Sequence, residues 1–571
     1  MNNHYDIIVV GGGHAGIEAA IISAKKKTKI LLISNNIDNI GSLSCNPSIG
    51  GVGKGKLIKE LNSMGGIMGK LADYSGIQYK SLNSSKGEAV LSTRIQVDRI
   101  KYKKYTNKFI KLYKNLYIKQ ETVINLLINN NEILGVKTNI KKYYSKIVIL
   151  TTGTFLNGNI YIGLKKIKGG RINEKIKNNL ANQLKEFNFY GGRLKTGTPP
   201  RINKYTINFN LLKKQKGDSN PIPCFTNKIN KKKQELCWMT KTNIKTHEII
   251  KKSLNKSPIF NENLSGISPR YCPSIEDKIY KFYNKKFHNI FLEPESKNSL
   301  EYYPNGISTS LPYNIQKNFL NSINGLEKTE IIRPGYGVEY DFFSPKNLKN
   351  TLESKTIKNL FFAGQINGTT GYEEAAVQGF IAGINSVLII KEKTISYNKK
   401  KSYIRLMIND LIKNGVTEPY RIFNNSEEKI EIREDNSDER LIYEINLKKS
   451  NNINYINKNL FNVFLFKKII NDKKKYIFNI LNIIYENKIN KIRKKIKIYK
   501  KYKNYIKKNK NINNIENINL KNINYFNIKS LSKEISEKLN KIKPKKVKNL
   551  LKISKINKSI IYKIIKNQKI I

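Results

Sequence analysis

Hydrophobic and polar residues alternate with two different periods along this chain. Near the N-terminus, "YDIIVV" (5–10) is a continuous apolar run of strand length. A glycine cluster follows, then "IEAAIISAKK", which reads as a helix of small and apolar residues. "KILLIS" (29–34) is the next predicted strand. "KIVILTTGTF" (146–155) predicts another buried strand, ending in Thr-Thr-Gly. "NLFFAGQINGTTGYEEAAVQGFIAG" (359–383) predicts a strand, a Gly-rich turn and a small-residue helix. From about 200 to 330 the periodicity gives way to proline-rich loops such as "TGTPPRI", "SNPIPCF" and "GISPRYCPSIED". Loops of this kind carry functional groups on a rigid scaffold. Beyond about residue 440 the chain turns Lys/Ile/Asn/Tyr-rich, yet Tyr485, Ile489, Ile492, Ile496, Tyr499 and Ile506 recur at helical spacing. Ile535 and Leu539 pair at i,i+4, and Pro544 ends that helix. Val547, Leu550 and Leu551 begin another, and Ile560, Ile561, Ile564 and Ile565 a last one. The tail therefore reads as a small helical domain with a basic solvent face. No internal repeat of solenoid period interrupts the pattern.

The glycine cluster gives the first strand a chemistry. Gly11, Gly13 and Gly16 fit G-x-G-x-x-G between a strand and a helix. The first glycine permits a tight turn, the second lets backbone approach a pyrophosphate, and the third lets helix and strand pack closely. The helix N-terminus then faces phosphate. The acid expected about 20 residues on, for a ribose, is absent: Ser34, Asn35 and Asn36 stand there, with Asp38 beyond. The two later strand motifs, at 146–155 and 359–383, resemble the downstream motifs of two-motif flavoproteins, which implies FAD and not an isolated nicotinamide unit. "IGGVGKGKL" (49–57) fits G-x-x-x-x-G-K, but Leu57 replaces the Ser or Thr that would hold magnesium. No clear strand leads into it. An NTPase is excluded, leaving its amides and Lys54 or Lys56 to hold a phosphate of the flavin or of RNA.

The predicted architecture is α/β. A Rossmann-like FAD-binding domain occupies 1–200 and 331–395, an inserted middle region 201–330, and an all-helical C-terminal domain 396–571. At about 100–200 residues per domain, 571 residues allow three or four. Lys and Arg outnumber Asp and Glu by 105 to 43, a net charge of +62. Lys, Asn and Ile share A/T-rich codons, so biased base composition explains much of that excess. What remains favours a polyanionic partner over a membrane surface. No apolar run approaches the ~20 residues of a membrane span. The N-terminus enters a strand almost at once, leaving no room for a signal or transit peptide. Four cysteines without a CxxC pair make no disulfide framework, so a reduced, cytoplasmic protein is expected. The four histidines are dispersed, and no metal site is expected.

Long stretches carry a resemblance. "GGGHAGIEAA", "SCNPSIGGVGKGKLIKE", "GIQYKSLNSSKGEAVLSTRIQVDR", "GTFLNG", "GRLKTGTPPRI", "SPRYCPSIEDK", "FLEPE", "YPNGISTSLP", "RPGYGVEYDFF", "TLESK", "LFFAGQINGTTGYEEAAVQG" and "GVTEPYRIF" run in family order from residue 11 to about 423. They resemble the MnmG (GidA) family, flavoproteins that modify the wobble uridine of certain tRNAs. The tail resembles the family's C-terminal domain more weakly. The resemblance implies a carboxymethylaminomethyl or aminomethyl group added at C5 of that uridine. FAD, NADH and methylenetetrahydrofolate would serve the reaction, with glycine or ammonium. It also implies a homodimer that joins the GTPase MnmE in a heterotetramer, in the cytoplasm. FAD contacts are carried over to Gly11, Gly12, Gly13, His14, Ala15, Gly16, Val123 and Gln365. The NADH-associated stretch is Ser268, Pro269, Arg270, Tyr271, Cys272, Pro273, Ser274, Ile275, Glu276, Asp277, Lys278, Ile279, Tyr280, Lys281 and Phe282. The chain departs from the family at Lys177, where a Ser near the flavin is usual, at Lys241, where His is common, and in "NNSEEKIEI" after Phe423.

Uridine C5 is a poor nucleophile until a thiolate adds to C6. The resemblance implies that role for Cys45 or Cys272, without dividing it between them. Ser274 and Asp277 form an S-x-x-D cap, so a helix should begin just after Cys272. Its dipole and Arg270 favour thiolate, while Glu276 and Asp277 oppose it. The bland alternative is a buried structural thiol, which is the reading for Cys224 and Cys237. Lys54, Lys56, Arg94, Arg99 and Arg201 are candidates for RNA phosphate contacts, against an ordinary solvated surface. Two rivals stand beside the tRNA-modifying enzyme: a general FAD oxidoreductase of fumarate-reductase type, and a non-catalytic RNA-binding flavoprotein.

Overall fold

A computed structural model describes residues 3–174, 179–219, 234–261, 266–267, 273–393 and 402–422, then 432–437, 440–441, 496–498, 500–502 and short pieces of 519–565. Expectations that rest on Lys177, Cys224, residues 268–272, the loop after Phe423, Tyr485, Ile489, Ile492, Tyr499, Ile506, Leu551 or Ile561 lie outside the described residues.

The first apolar run forms strand His4–Val10 and pairs in parallel with Ile30–Ser34 on one side and Lys142–Leu150 on the other. Leu360–Phe362 pairs in parallel with the far end of Lys142–Leu150, and Leu116–Gln120 with Ile30–Ser34. The three glycine-bearing strand motifs thus lie side by side and point the same way. Their C-terminal loops converge at one edge, where open α/β sheets bind ligands. Strands buried on both faces read as continuous apolar runs, which is why they were legible.

Two helices close against each other over this sheet. A Cβ on Gly379 would lie 1.9 Å from the Ala15 carbonyl oxygen, and one on Gly383 would lie 2.7 Å from that of Ala19. Glycines four residues apart therefore let helix Tyr372–Ile390 touch the backbone of helix His14–Lys25. The longer helix is apolar enough to cross a membrane by length and composition, but it is mostly buried within the protein.

The inserted region has its own sheet and core. Six antiparallel strands between Arg201 and Arg333 pair only among themselves. Ile202, Ile250, Ile275, Leu292, Phe319 and Leu326 are among its buried residues. The chain enters along Gly191–Thr198 and leaves along Tyr336–Phe343, and these two strands pair with each other from Gly191↔Phe343 to Thr198↔Tyr336. That ribbon makes the insertion possible without breaking the fold.

The chain divides into two compact units, and the boundary differs from the expected one. Helix Tyr403–Asn414, expected in the C-terminal domain, belongs to the first unit. The Ser402 hydroxyl and the Tyr403 and Ile404 amides donate to the buried Glu60 carboxylate, which anchors the helix start. The second unit comprises Ser84–Leu91, Phe423–Ile442 and Leu447–Ile571. In it, helix Lys533–Ile542 stops before Pro544 and helix Val547–Leu550 follows. Leu539, Val547, Leu550, Ile564 and Ile565 share one core, as the apolar spacing predicts.

Glu18 gives the first unit a pH dependence. It is buried, and burial pushes its carboxyl from 4.5 up to about 7, although the Met68 and Ile67 amides donate to it. The folded state then keeps a proton that the unfolded chain has released. Stability from this group is fullest below about pH 4.5 and is lost as pH rises through about 7, at a cost of about 3 kcal/mol. Glu18→Gln keeps an acceptor for both amides and should flatten that slope. Denaturant unfolding between those pH values checks this, and an unchanged slope would contradict it.

Candidate active site

The glycine turn is built for an anion. Gly11 adopts φ +111°, and a Cβ there would lie 2.4 Å from the Thr151 carbonyl oxygen. A Cβ on Gly16 would lie 1.9 Å from the Gly11 carbonyl oxygen. A Cβ on Gly13 meets nothing within 4 Å. So Gly11 and Gly16 serve packing, while Gly13 opens the N-terminus of helix His14–Lys25 to space. No side chain caps that N-terminus and no acid stands in its first turn. Its free amides fit a pyrophosphate. His14 Nε2 and Thr152 Oγ1 are buried without a hydrogen-bond partner at the same edge. Burial, aided by Arg171, holds His14 down to about 3, so its ring is neutral. Gln365 begins the turn after Leu360–Phe362, donates to the Tyr340 hydroxyl at 3.4 Å and lies beside Gly153. Val123 is buried just past Glu121, whose amide donates to the Ser34 carbonyl at the end of the second strand. These residues fit the FAD contacts expected of them. Ala15 is buried against the Gly379 helix and Gly12 faces the Ile40 side chain.

The second glycine run differs from its expectation. A short strand, Ser48–Gly50, does lead into helix Lys54–Ser63. The anion met there is the protein's own. The Gly50 amide donates to Glu373 at 2.7 Å, and Lys54 Nζ lies 2.8 Å from the same carboxylate. Burial alone would lower Lys54, but Glu373 and Glu374 outweigh it and raise its pKa.

Cys45 lies in the loop before that strand, and three distant segments hold it. Its amide donates to the Tyr372 hydroxyl at 2.5 Å. Its carbonyl accepts from Arg99 Nη2 at 2.6 Å. Its sulfur lies 3.2 Å from the Tyr303 hydroxyl. Arg201 sits over the Tyr303 ring at 4.6 Å. Glu295 receives both guanidiniums, Arg201 Nε at 2.7 Å and Arg99 Nε at 2.5 Å, the latter a close ion pair without the alignment of a hydrogen bond. Tyr372 also packs on the His14 ring at 4.7 Å. One side chain therefore touches both the glycine turn and the cysteine.

The five basic residues offered for RNA stand in ion pairs or burial. Lys56 and Arg201 are 1% and 5% exposed, so neither presents its charge to solvent, and for these two the RNA reading is corrected. Lys56 lies over the Tyr403 ring, and Arg201 is held by Glu295. Arg94 Nη2 meets Glu293 at 2.6 Å, and Arg99 and Lys54 keep partial exposure beside their carboxylates.

Of the stretch expected to be NADH-associated, residues 273–282 are described. Ser274 caps helix Ile275–Lys281 by accepting from the Asp277 amide at 3.2 Å. Ile275 and Ile279 enter the middle core. Glu276 is fully buried and accepts from Thr309 Oγ1 and the Ser310 amide, both at 3.0 Å. Lys278 donates to the Gly306 carbonyl, while Tyr280 and Phe282 are exposed. Cys237 is buried in a strand, and burial pushes its thiol up to about 12, which suits a structural thiol. Among the described residues no cluster of His, Cys, Asp or Glu could hold a metal.

Sequence reading overlooked Tyr303, Glu295 and Tyr372. They sit inside "YPNGIST", "FLEPE" and "GYEEA", motifs whose spacing says nothing of a distant cysteine. It also overlooked Lys195, buried with no hydrogen-bond partner; burial lowers its pKa despite Glu276 and Asp277.

Residues 6–394 match the family described as glucose inhibited division protein A. The tRNA uridine 5-carboxymethylaminomethyl modification enzyme MnmG of Buchnera aphidicola subsp. Cinara cedri is 54% identical over 442 residues, 76% of this chain and 70% of that protein. Two crystal forms of GidA from Aquifex aeolicus are similar across 99% of this chain. Form I has 41% identity, a TM-score of 0.81 and 100% of its own chain covered; form II has 39%, 0.80 and 99%. The chain belongs to the MnmG (GidA) family.

Proposed function

We propose that this chain is a FAD-dependent enzyme that modifies C5 of the wobble uridine of certain tRNAs. With the GTPase MnmE it adds a carboxymethylaminomethyl or aminomethyl group, drawing on methylenetetrahydrofolate, glycine or ammonium, and NADH. It works in the cytoplasm as a homodimer within a heterotetramer. The observation that carries this reading is Tyr372, which links the glycine turn at His14 to the backbone of Cys45. Family membership and the net charge of +62 support a tRNA substrate.

When bound along Gly11–Gly16, FAD supplies the redox chemistry for the folate-borne one-carbon unit, with NADH as reductant. The protein's own part is nucleophilic. A thiolate, from Cys45 or Cys272, adds to uracil C6, and the C5–C6 π pair moves toward C5 and O4. Glycine or ammonium displaces tetrahydrofolate from the methylene to give an iminium, and C5 attacks its carbon as the C=N π pair moves onto nitrogen. Loss of the C5 proton and cleavage of the C6–S bond restore the ring and release the thiolate. Tyr372 and Arg99 hold the Cys45 backbone while this happens. Lys54, Arg94 and Arg99, all partly exposed, remain candidates for RNA phosphates, and tRNA affinity should fall with salt.

The deciding test incubates purified protein with MnmE, GTP, folate, NADH, glycine and unmodified tRNA. Nucleoside mass spectrometry should show the added mass on the wobble uridine. Bound, reducible flavin with no modified uridine would overturn the reading in favour of a general oxidoreductase. The flavin site has its own check. Gly13→Ala should leave the fold intact and weaken flavin retention, because only ligand space is filled. Gly16→Ala should lose both, because its Cβ strikes the Gly11 carbonyl. Flavin absorbance of the purified variants, read beside circular dichroism, separates the two, and equal behaviour would contradict the assignment.

A further inference from the structure

We propose that Tyr303 is a positioning residue for Cys45, its hydroxyl holding the sulfur in place and favouring the thiolate. This rests on Cys45 acting as a nucleophile in the reaction proposed above.

The geometry leaves the sulfur little freedom. Tyr372 and Arg99 hold the Cys45 amide and carbonyl, so only the side-chain torsion remains to place Sγ. The Tyr303 hydroxyl, 3.2 Å away, sets that torsion together with the more distant Gly197 carbonyl, which accepts from Sγ at 4.0 Å. Tyr303 itself is buried on strand Glu301–Asn305 and cannot turn aside. The Arg201 guanidinium covers its ring at 4.6 Å. Arg201 is in turn locked by Glu295 at 2.7 Å, the Thr198 hydroxyl at 2.6 Å and the Pro199 carbonyl at 2.7 Å. A ring held this firmly offers a preorganised donor.

The chemistry follows from what sulfur accepts. A thiolate is an acceptor only, so a hydroxyl that donates to it favours the charged form. The titratable and charged groups around Cys45 include Tyr303, Tyr372, Arg99, Arg201 and Glu295, with Arg333 and Tyr336 acting on the two arginines. Two guanidiniums share one carboxylate, leaving surplus positive charge beside the sulfur. Tyr303 touches the Cys45 sulfur, so it acts on the reaction through Cys45.

The test reads the cysteine directly, without tRNA. The full-length protein is alkylated with iodoacetamide from about pH 6 to 10, and the Cys45 peptide is quantified by mass spectrometry. Tyr303→Phe keeps the ring under Arg201 and removes only the hydroxyl. It should move the alkylation midpoint up by about one pH unit and slow alkylation at neutral pH roughly tenfold. Its modification rate should fall at neutral pH and recover at higher pH, with KM for tRNA unchanged. Should that variant fold poorly, 3-fluorotyrosine at position 303 preserves shape and stacking, and its stronger donor should lower the midpoint. A midpoint unmoved by either change overturns the proposal while leaving the role of Cys45 to its own test. A loss of activity with an unchanged alkylation profile also overturns it, because that is what a merely structural tyrosine would give.

Discussion

Cys45→Ser is expected to cut wobble-uridine modification by more than roughly 10³-fold, the scale on which loss of a nucleophile acts. The fold should survive. The contacts that hold this loop are made by the Cys45 amide and carbonyl, to Tyr372 and Arg99, and a serine keeps both. The thiol is only part-buried and serine is nearly its shape, so the packing cost is small. Flavin content and unfolding midpoint should therefore match the parent. The Cys272→Ser variant belongs in the same experiment, because the resemblance leaves the attack on C6 to either cysteine. Trapping of tRNA as a protein adduct on a denaturing gel, lost in one variant and kept in the other, assigns the attack on C6. Full activity in Cys45→Ser would remove it from the mechanism.

Glu295→Gln is expected to destabilise the first unit by about 3–5 kcal/mol, the cost of breaking a buried ion pair by removing one partner. One carboxylate answers two guanidiniums, those of Arg99 and Arg201. Arg201 is nearly sealed from solvent, and burial alone would lower its pKa; Glu295 is the largest of the influences that raise it instead. Glutamine offers a hydrogen bond but no charge, leaving two like charges close together in a poor dielectric. The damage should reach the cysteine, since Arg99 holds its carbonyl and Arg201 backs Tyr303. Urea unfolding measures the stability, and alkylation of Cys45 reports the local loss of order. A variant as stable as the parent would show that these charges are already neutralised by other groups.

Much of the fold was legible because its signals are local. A buried parallel strand needs a run of apolar residues, and a tight turn under a helix needs glycines at set intervals. Both demands fall within about ten neighbours, so Gly11, Gly13 and Gly16 declared their structural setting. The Ser274 cap and the stop at Pro544 were readable for the same reason. What ties the helix at Tyr403–Asn414 to the first unit was not legible, because it is Glu60, over 300 residues earlier.

The site was legible in its ingredients and hidden in its arrangement. Arg94 and Arg201 read as surface charge, which made them candidates for RNA phosphates. Packing of separate segments then placed Glu293 and Glu295 against them; Arg94 and Glu293 are 199 residues apart along the chain. A cysteine beside a proline was visible at position 45, but its setting comes from residues 99, 303 and 372. The sequence alone determined the strands, the glycine turn and the presence of a rare cysteine, since each depends on near neighbours. Only the tertiary structure decided which charges are answered and which hydroxyl faces the sulfur, since those pairings depend on how segments hundreds of residues apart pack together.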